Sequence, residues 1–279
     1  MNIPSEKIGI STNIFDNPLD IASLLEKLAK NGFNLIEIEF ENAARQLLAS
    51  SGEQLYKAVE SIRQIRDQYG LQLTVHAPYV GVSTDLAAED EKQRMEAIAL
   101  MLKTMEIMSA IGAKNMTFHP GYLDKRADTT KLYKNLGKSL TIMSKKAAEL
   151  SIDLCLENTG SHRPNYIVLT EEQQQDIFKE YGVYLTLDII HYASFMPLDE
   201  QFYLKLEKIL PYVKHTHFAD MKVPKHAHLP LGLGNLPYKQ ILDFMYTHGY
   251  KGFAIIEECA HGYQSDDYLQ HALQFKKSL

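Results

Sequence analysis

Cysteine is scarce in this chain, with only Cys155 and Cys259 among 279 residues. That excludes a disulfide framework and any CxxC zinc site. The opening MNIPSEKIGIS has no cationic head followed by an apolar run, so no secretory leader is expected. No segment approaches the roughly 20 uninterrupted apolar residues of a membrane span. A cytoplasmic, soluble protein with no membrane partner is the expectation. Basic residues are not in surplus: Lys+Arg 29 against Asp+Glu 35 gives a net charge of −6. That charge fits poorly with nucleic-acid binding through a broad basic field. Gly 15 and Pro 10 are too few for collagenous or low-complexity material. No GxSxG elbow and no phosphate-binding P-loop occur. The Gly232–Asn235 run (GLGN) is too short, and too late in the chain, for a dinucleotide fingerprint.

What is plentiful is histidine, at 11 residues, within a chain that is 45% hydrophobic and can bury a sizeable core. The length allows two average domains or one α/β barrel of about 250 residues. Short β-like runs alternate with longer amphipathic patterns from end to end, with no linker between them. The predicted strands are Lys7–Thr12, Phe33–Phe40, Leu71–Ala77, Lys114–His119, Ile152–Asn158, Val183–Asp188, Tyr212–Phe218 and Gly252–Glu257. The predicted helices are Leu19–Asn31, Gln54–Tyr69, Ala88–Ile111, Thr130–Leu150, Glu171–Tyr181, Asp199–Leu210, Tyr238–His248 and Ser265–Lys276. Several of them stop at a glycine, as at Gly70, Gly112 and Gly182. Such alternation implies parallel strands with right-handed crossovers. Eight pairs at this length predict a single (β/α)8 barrel over residues 1–279, with a doubly wound open sheet as the alternative.

Side chains alternate across a strand, so parity separates barrel interior from helix-facing side. Ile36, Ile38 and Phe40 form an outward apolar set, which turns Glu37 and Glu39 inward. Applied to the later strands, the same rule makes His76, His119, Glu157, Asp188, His217 and Glu257 the last inward residues. All six then stand at the C-terminal mouth, where barrel active sites are built. Converging ionisable groups are costly unless paired or bound to a cation, and a His/Asp/Glu set is what a divalent metal requires.

The motifs around these positions are HAPY (His76–Tyr79), FHPGY (Phe118–Tyr122), LENTG (Leu156–Gly160), LDIIH (Leu187–His191), HTHFAD (His215–Asp220) and IIEE (Ile255–Glu258). Singly, each also reads as a hydrogen-bonded polar residue or an ion pair. Asn158 is a candidate to hydrogen-bond a ligand, and Asp220 a candidate to orient an imidazole. His226 and His228, two apart in an extended loop, either aim inward together or stay solvated. Tyr79 and Tyr122 follow ligand candidates and would line the mouth. Both cysteines read as small core residues.

In order and spacing, HAPY, HPG, ENTG, D-x-x-H, HFAD, H-x-H with GLGN, and IIEE resemble the xylose-isomerase-like barrel superfamily. The resemblance spans essentially the whole chain. That superfamily holds sugar and sugar-phosphate isomerases and epimerases and also the endonuclease IV repair enzymes. Its single-metal isomerases imply one Mn²⁺, Mg²⁺ or Zn²⁺ held by Glu157, Asp188, His217 and Glu257. The endonuclease pattern implies those four together with His76, His119, His191, His226 and His228, and three zinc ions. Here His226 stands where the endonuclease has Asp, Leu233 stands where it has Glu, and the His217-to-His226 connection is short. IGISTNIF and FNLIEIEFEN look like the isomerases.

The resemblance therefore implies a metal-dependent isomerase or epimerase acting on a sugar or sugar phosphate, with abasic-DNA hydrolysis as the alternative. Glu157 and Glu257 would be the proton-transfer pair, and His191, Tyr79 and His228 would contact substrate. Lys125, Arg126, His162 and Arg163 are candidates for a substrate phosphate, or else ordinary surface charge. A homo-oligomer is compatible with this reading.

Overall fold

The computed structural model describes residues 3–15, 20–41, 44–122, 129–159, 169–194, 196–259 and 262–279. Eight parallel strands close into a barrel: β1 (Ile8–Ser11), β2 (Leu35–Glu39), β3 (Gln72–His76), β4 (Asn115–Phe118), β5 (Asp153–Glu157), β6 (Tyr184–Asp188), β7 (Val213–Phe218) and, last in the ring, β10 (Phe253–Ile256). β10 pairs with β1 and β7 and shuts the sheet. This is the (β/α)8 barrel expected from the alternation, and the open sheet is excluded by that closure.

Helices cover the outside: α1 (Ile21–Lys30), α2 (Arg45–Ala49), α3 (Gly52–Tyr69), α4 (Glu91–Ile111), α5 (Thr129–Leu150), α6 (Glu171–Tyr181), α7 (Ile189–Ala193), α8 (Glu200–Ile209), α9 (Tyr238–Thr247) and α10 (Ser265–Lys277). Their limits follow from capping. Asp20 accepts the Ser23 backbone N–H at 3.1 Å to open α1, and Asp90 accepts that of Gln93 at 2.8 Å to open α4. At the far end of α4, Gly112 takes φ +80°, a left-handed conformation that glycine adopts without a Cβ penalty. No helix among the described residues is long and apolar enough to cross a membrane.

The predicted parity holds. Ile36, Ile38 and Phe40 are fully buried under the helices, and Glu37 is fully buried on the barrel side. Polar groups inside the barrel find one another, as where the Thr117 and Thr186 hydroxyls meet at 2.8 Å. Register brings the strand ends level: Glu39 is opposite His76, and Asp188 is opposite His217.

One element departs from expectation. The segment carrying His226 and His228 is not a loop but β9 (Lys225–Leu229), paired antiparallel with β8 (Asp220–Lys222) through a turn with a cis Val223–Pro224 bond. Strand pairing gives His226 and His228 a common face.

Candidate metal centre and active site

Glu157 is the hub of the mouth. From the end of β5 its Oε2 lies 3.1 Å from His76 Nε2 on β3 and 3.0 Å from His119 Nε2 just beyond β4. Its Oε1 lies 3.3 Å from Nδ1 of His191, in α7. Burial alone would raise the Glu157 pKa, but His119 and the other surrounding imidazoles hold it well below the usual carboxylate range. Burial likewise pulls the His76 pKa down, and Glu157 outweighs it, pushing His76 up to about 9.

Asp188, His217 and Glu257 close around the same carboxylate. One ligand atom from each of these four side chains lies within 4.8 Å of all the others, and all four residues are buried. Asp188 Oδ1 accepts the His191 backbone N–H at 2.8 Å, which caps α7 and leaves Oδ2 buried with no hydrogen bond. His217 Nδ1 is also buried without a hydrogen bond, although Glu257 Oε2 is 3.2 Å away and Glu157 Oε2 3.8 Å. Burial raises the Asp188 pKa, whereas His217 overrides burial at Glu257 and lowers it to about 2. Three carboxylates and an imidazole nitrogen facing one point, two of their atoms lacking hydrogen bonds, fit a divalent cation.

Two further groups flank this one. His76 and His119 share Glu157, while His191, His226 and His228 form a cluster beside Asp188, with ring centroids 5.1–5.5 Å apart. Backbone carbonyls fix two of these tautomers: His191 Nδ1–H donates to Asn158 O at 2.8 Å and His228 Nδ1–H to Glu257 O at 3.0 Å. Each ring thus gives Nδ1 to the backbone, and Nε2 is the nitrogen that would meet a metal. All nine histidine and carboxylate positions singled out in the sequence therefore meet at one mouth. Tyr79 packs its ring 4.9 Å from His76 and 4.8 Å from His119, and its carbonyl accepts the Tyr122 hydroxyl at 2.7 Å.

The description "xylose isomerase-like TIM barrel" matches residues 25–279. The chain belongs to this family. Among family relatives, an uncharacterized protein of Methanocaldococcus jannaschii is 25% identical over 90% of this chain and 83% of that protein. The fructoselysine 3-epimerase of Escherichia coli O157:H7 is 18% identical over 71% of this chain and 72% of that enzyme. Of solved structures, a D-tagatose 3-epimerase-like protein is 24% identical with a TM-score of 0.76, covering 98% of both chains. A D-psicose 3-epimerase crystallised in the presence of D-fructose is 19% identical with a TM-score of 0.78, again covering 98% of both. At these identities the structural likeness shows the fold.

Within this family barrel, three expectations are corrected or sharpened. Asp220 orients no imidazole: its carboxylate accepts backbone N–H groups of Met221, Gly232, Gly234 and Leu236, tying the loop after β9 to the ribbon. The short β7–β8 connection turns Asp220 toward that loop. Cys155 is buried as expected, but Cys259 is exposed because the chain has left the barrel after Glu258. Asn158 acts on Asp188 through the backbone, donating to its carbonyl at 3.0 Å and accepting its N–H at 2.7 Å.

Two contributors went unassigned in the sequence. Parity turned Glu37 inward without giving it a partner, yet it contacts His215 and His217. Asn13 donates to Glu257 Oε1 at 3.3 Å from just beyond β1. Lys125, Arg126, His162 and Arg163 lie outside the described residues.

Proposed function

We propose that this protein is a divalent-metal-dependent isomerase or epimerase of a sugar, sugar phosphate or related polyol ketone. The observation that carries the reading is the four-residue group Glu157, Asp188, His217 and Glu257. Its two buried glutamates, from the ends of strands separated by β6 and β7, meet around one point at the barrel mouth. The similarity to a fructoselysine 3-epimerase, a D-tagatose 3-epimerase-like protein and a D-psicose 3-epimerase supports a sugar substrate.

Glu157, Asp188, His217 and Glu257 would hold a divalent ion, which would supply Lewis-acid stabilisation to a sugar carbonyl beside the carbon that loses a proton. Glu157 removes that proton and Glu257 returns one from the other side, which inverts or relocates the stereocentre without net oxidation. Asp188 and His217 hold the centre. His191, His228 and Tyr79, at the rim, contact substrate hydroxyls and orient the reacting carbon.

A second reading, phosphodiester hydrolysis of abasic DNA at a cluster of up to three zinc ions, is favoured by one observation. The groups His76–His119–Glu157 and His191–His226–His228 flank the central one and have ligand-like geometry. Metal analysis together with two assays separates the readings. The isomerase reading expects one exchangeable Mn²⁺ or Mg²⁺ and solvent-deuterium incorporation into a ketose from a broad panel. Three tightly held zinc ions with abasic-site nicking, and no deuterium exchange, would overturn it.

A further inference from the structure

We propose that Glu37 is a positioning residue for the metal centre, acting through His217: it holds His217 in the Nε2–H tautomer and so makes Nδ1 the ligand atom. The inference rests on the metal site proposed above and extends it to a carboxylate outside the ligand set.

Glu37 projects from β2 into the barrel, and His215 and His217 project from β7, two strands beyond β1 in the ring. All three side chains have zero exposure. His215 Nε2–H donates to Glu37 Oε2 at 2.8 Å. His217 Nε2 lies 3.0 Å from Oε1 and 3.2 Å from Oε2, with hydrogen-bond geometry to the latter. A carboxylate accepts and never donates when ionised, so both imidazoles present N–H toward it. With Nε2 given to Glu37, Nδ1 is the nitrogen that faces Glu257 and Glu157. A divalent ion held there would take the place of a proton between Nδ1 and the two carboxylates.

Glu37 thus does for His217 what the Asn158 and Glu257 carbonyls do for His191 and His228. In this case the fixing group is a charged side chain from the opposite wall of the barrel. It adds negative charge behind the ligand in a dry interior, which strengthens the attraction for a divalent ion. His215, donating to the same oxygen, keeps the Glu37 carboxylate turned toward β7.

The groups of Glu37, His215 and His217 are themselves close enough to be ligands. Their N–H···O geometry and complete burial favour the hydrogen-bonded arrangement, and the experiment below reads the difference.

The test has two arms. In the first, Mn²⁺ is titrated into the metal-free protein and its Glu37→Gln variant, with free Mn²⁺ read by electron paramagnetic resonance. The variant is expected to bind Mn²⁺ about 10–100-fold more weakly while remaining folded by circular dichroism. A folded variant binding Mn²⁺ within twofold of the parent overturns the proposal. In the second arm, ¹⁵N-histidine NMR of the unsubstituted protein, with His217 assigned by His217→Gln, is expected to show Nε2 protonated without metal and still protonated when Zn²⁺ binds at Nδ1. A bare Nε2 in the metal-free protein overturns the proposal even if Glu37→Gln does not fold. Loss of the Nε2 proton on adding Zn²⁺ does so too, because it would make Glu37, His215 and His217 a metal site. If the parent binds no Mn²⁺ or Zn²⁺, the metal reading fails, and the positioning role toward a metal falls with it. The tautomer measurement then reports separately on the hydrogen bond.

Discussion

Asn158 grips Asp188 by both sides of its backbone, accepting its N–H at 2.7 Å and donating to its carbonyl at 3.0 Å. The bond pair joins the end of β5 to the end of β6, at the residue whose carboxylate belongs to the candidate metal group. Asn158→Ala should leave the Asp188 backbone N–H unpaired, at a cost of about 1–3 kcal/mol where no water reaches it. Urea unfolding of the metal-free variant measures that loss, and Mn²⁺ titration should show weaker binding in the same protein. Unchanged values for both would mean that the grip positions nothing.

Removing metal should lower stability. An ion bound only by the folded chain stabilises it by about 2.7 kcal/mol at a concentration 100 times its Kd. Adding Mn²⁺ or Zn²⁺ to chelator-treated protein should therefore raise its melting temperature. Asp188→Asn should blunt that rise, since the amide carries neither the charge nor the second equivalent oxygen. A rise of equal size in the variant would place the ion elsewhere.

The two glutamates and His119 should separate kinetically. Glu157→Gln or Glu257→Gln should cost about 10²–10⁴-fold in turnover of a sugar substrate if each transfers a proton. His119→Gln, which perturbs Glu157 through a 3.0 Å contact, should cost about 10–100-fold if it only orients the carboxylate. Equal losses in all three variants would instead point to His119 as a ligand of an essential ion.

Thiol reactivity should be split between the cysteines. Cys259 is exposed and Cys155 is buried inside the barrel. A small aromatic disulfide reagent should modify one thiol per chain in native buffer and a second only on unfolding. Replacing Cys259 with Ser should remove the fast phase.

Gly234→Ala tests the loop that backs the His226–His228 ribbon. A Cβ there would stand 2.3 Å from Asp220 Oδ1 and from the Met221 carbonyl, so the loop or the ribbon must shift. Overpacking of this kind costs about 1–3 kcal/mol. Thermal unfolding gives the loss, and weakened Zn²⁺ binding would show that the shift reaches His228.

Much of this site was legible without coordinates. Period-two alternation put His76, His119, Glu157, Asp188, His217 and Glu257 on inward faces, and the β–α alternation put those strand ends on one rim. Glu37 marks where that reasoning stops: parity turned it inward, but a strand pattern does not say which residue meets it across the barrel. Asp220 shows the same limit, since its motif allowed an imidazole partner and the turn into β8 gave it four backbone N–H groups instead.

The scarcity of cysteine and the absence of an apolar span or a basic surplus were properties of composition. With the strand and helix periods, they determined the sequence's share of the answer: one barrel, a polar mouth, and the residue types available there. Tertiary structure decided the rest, because chain separation carries no information about which inward side chains converge. Closure of β10 onto β1 brings Asn13 to Glu257 and aims Glu37 at His217. Pairing of β8 with β9 turns two loop histidines toward His191. Those contacts leave Asp188 Oδ2 and His217 Nδ1 without hydrogen bonds among side chains that converge on one point, which no list of polar residues could show.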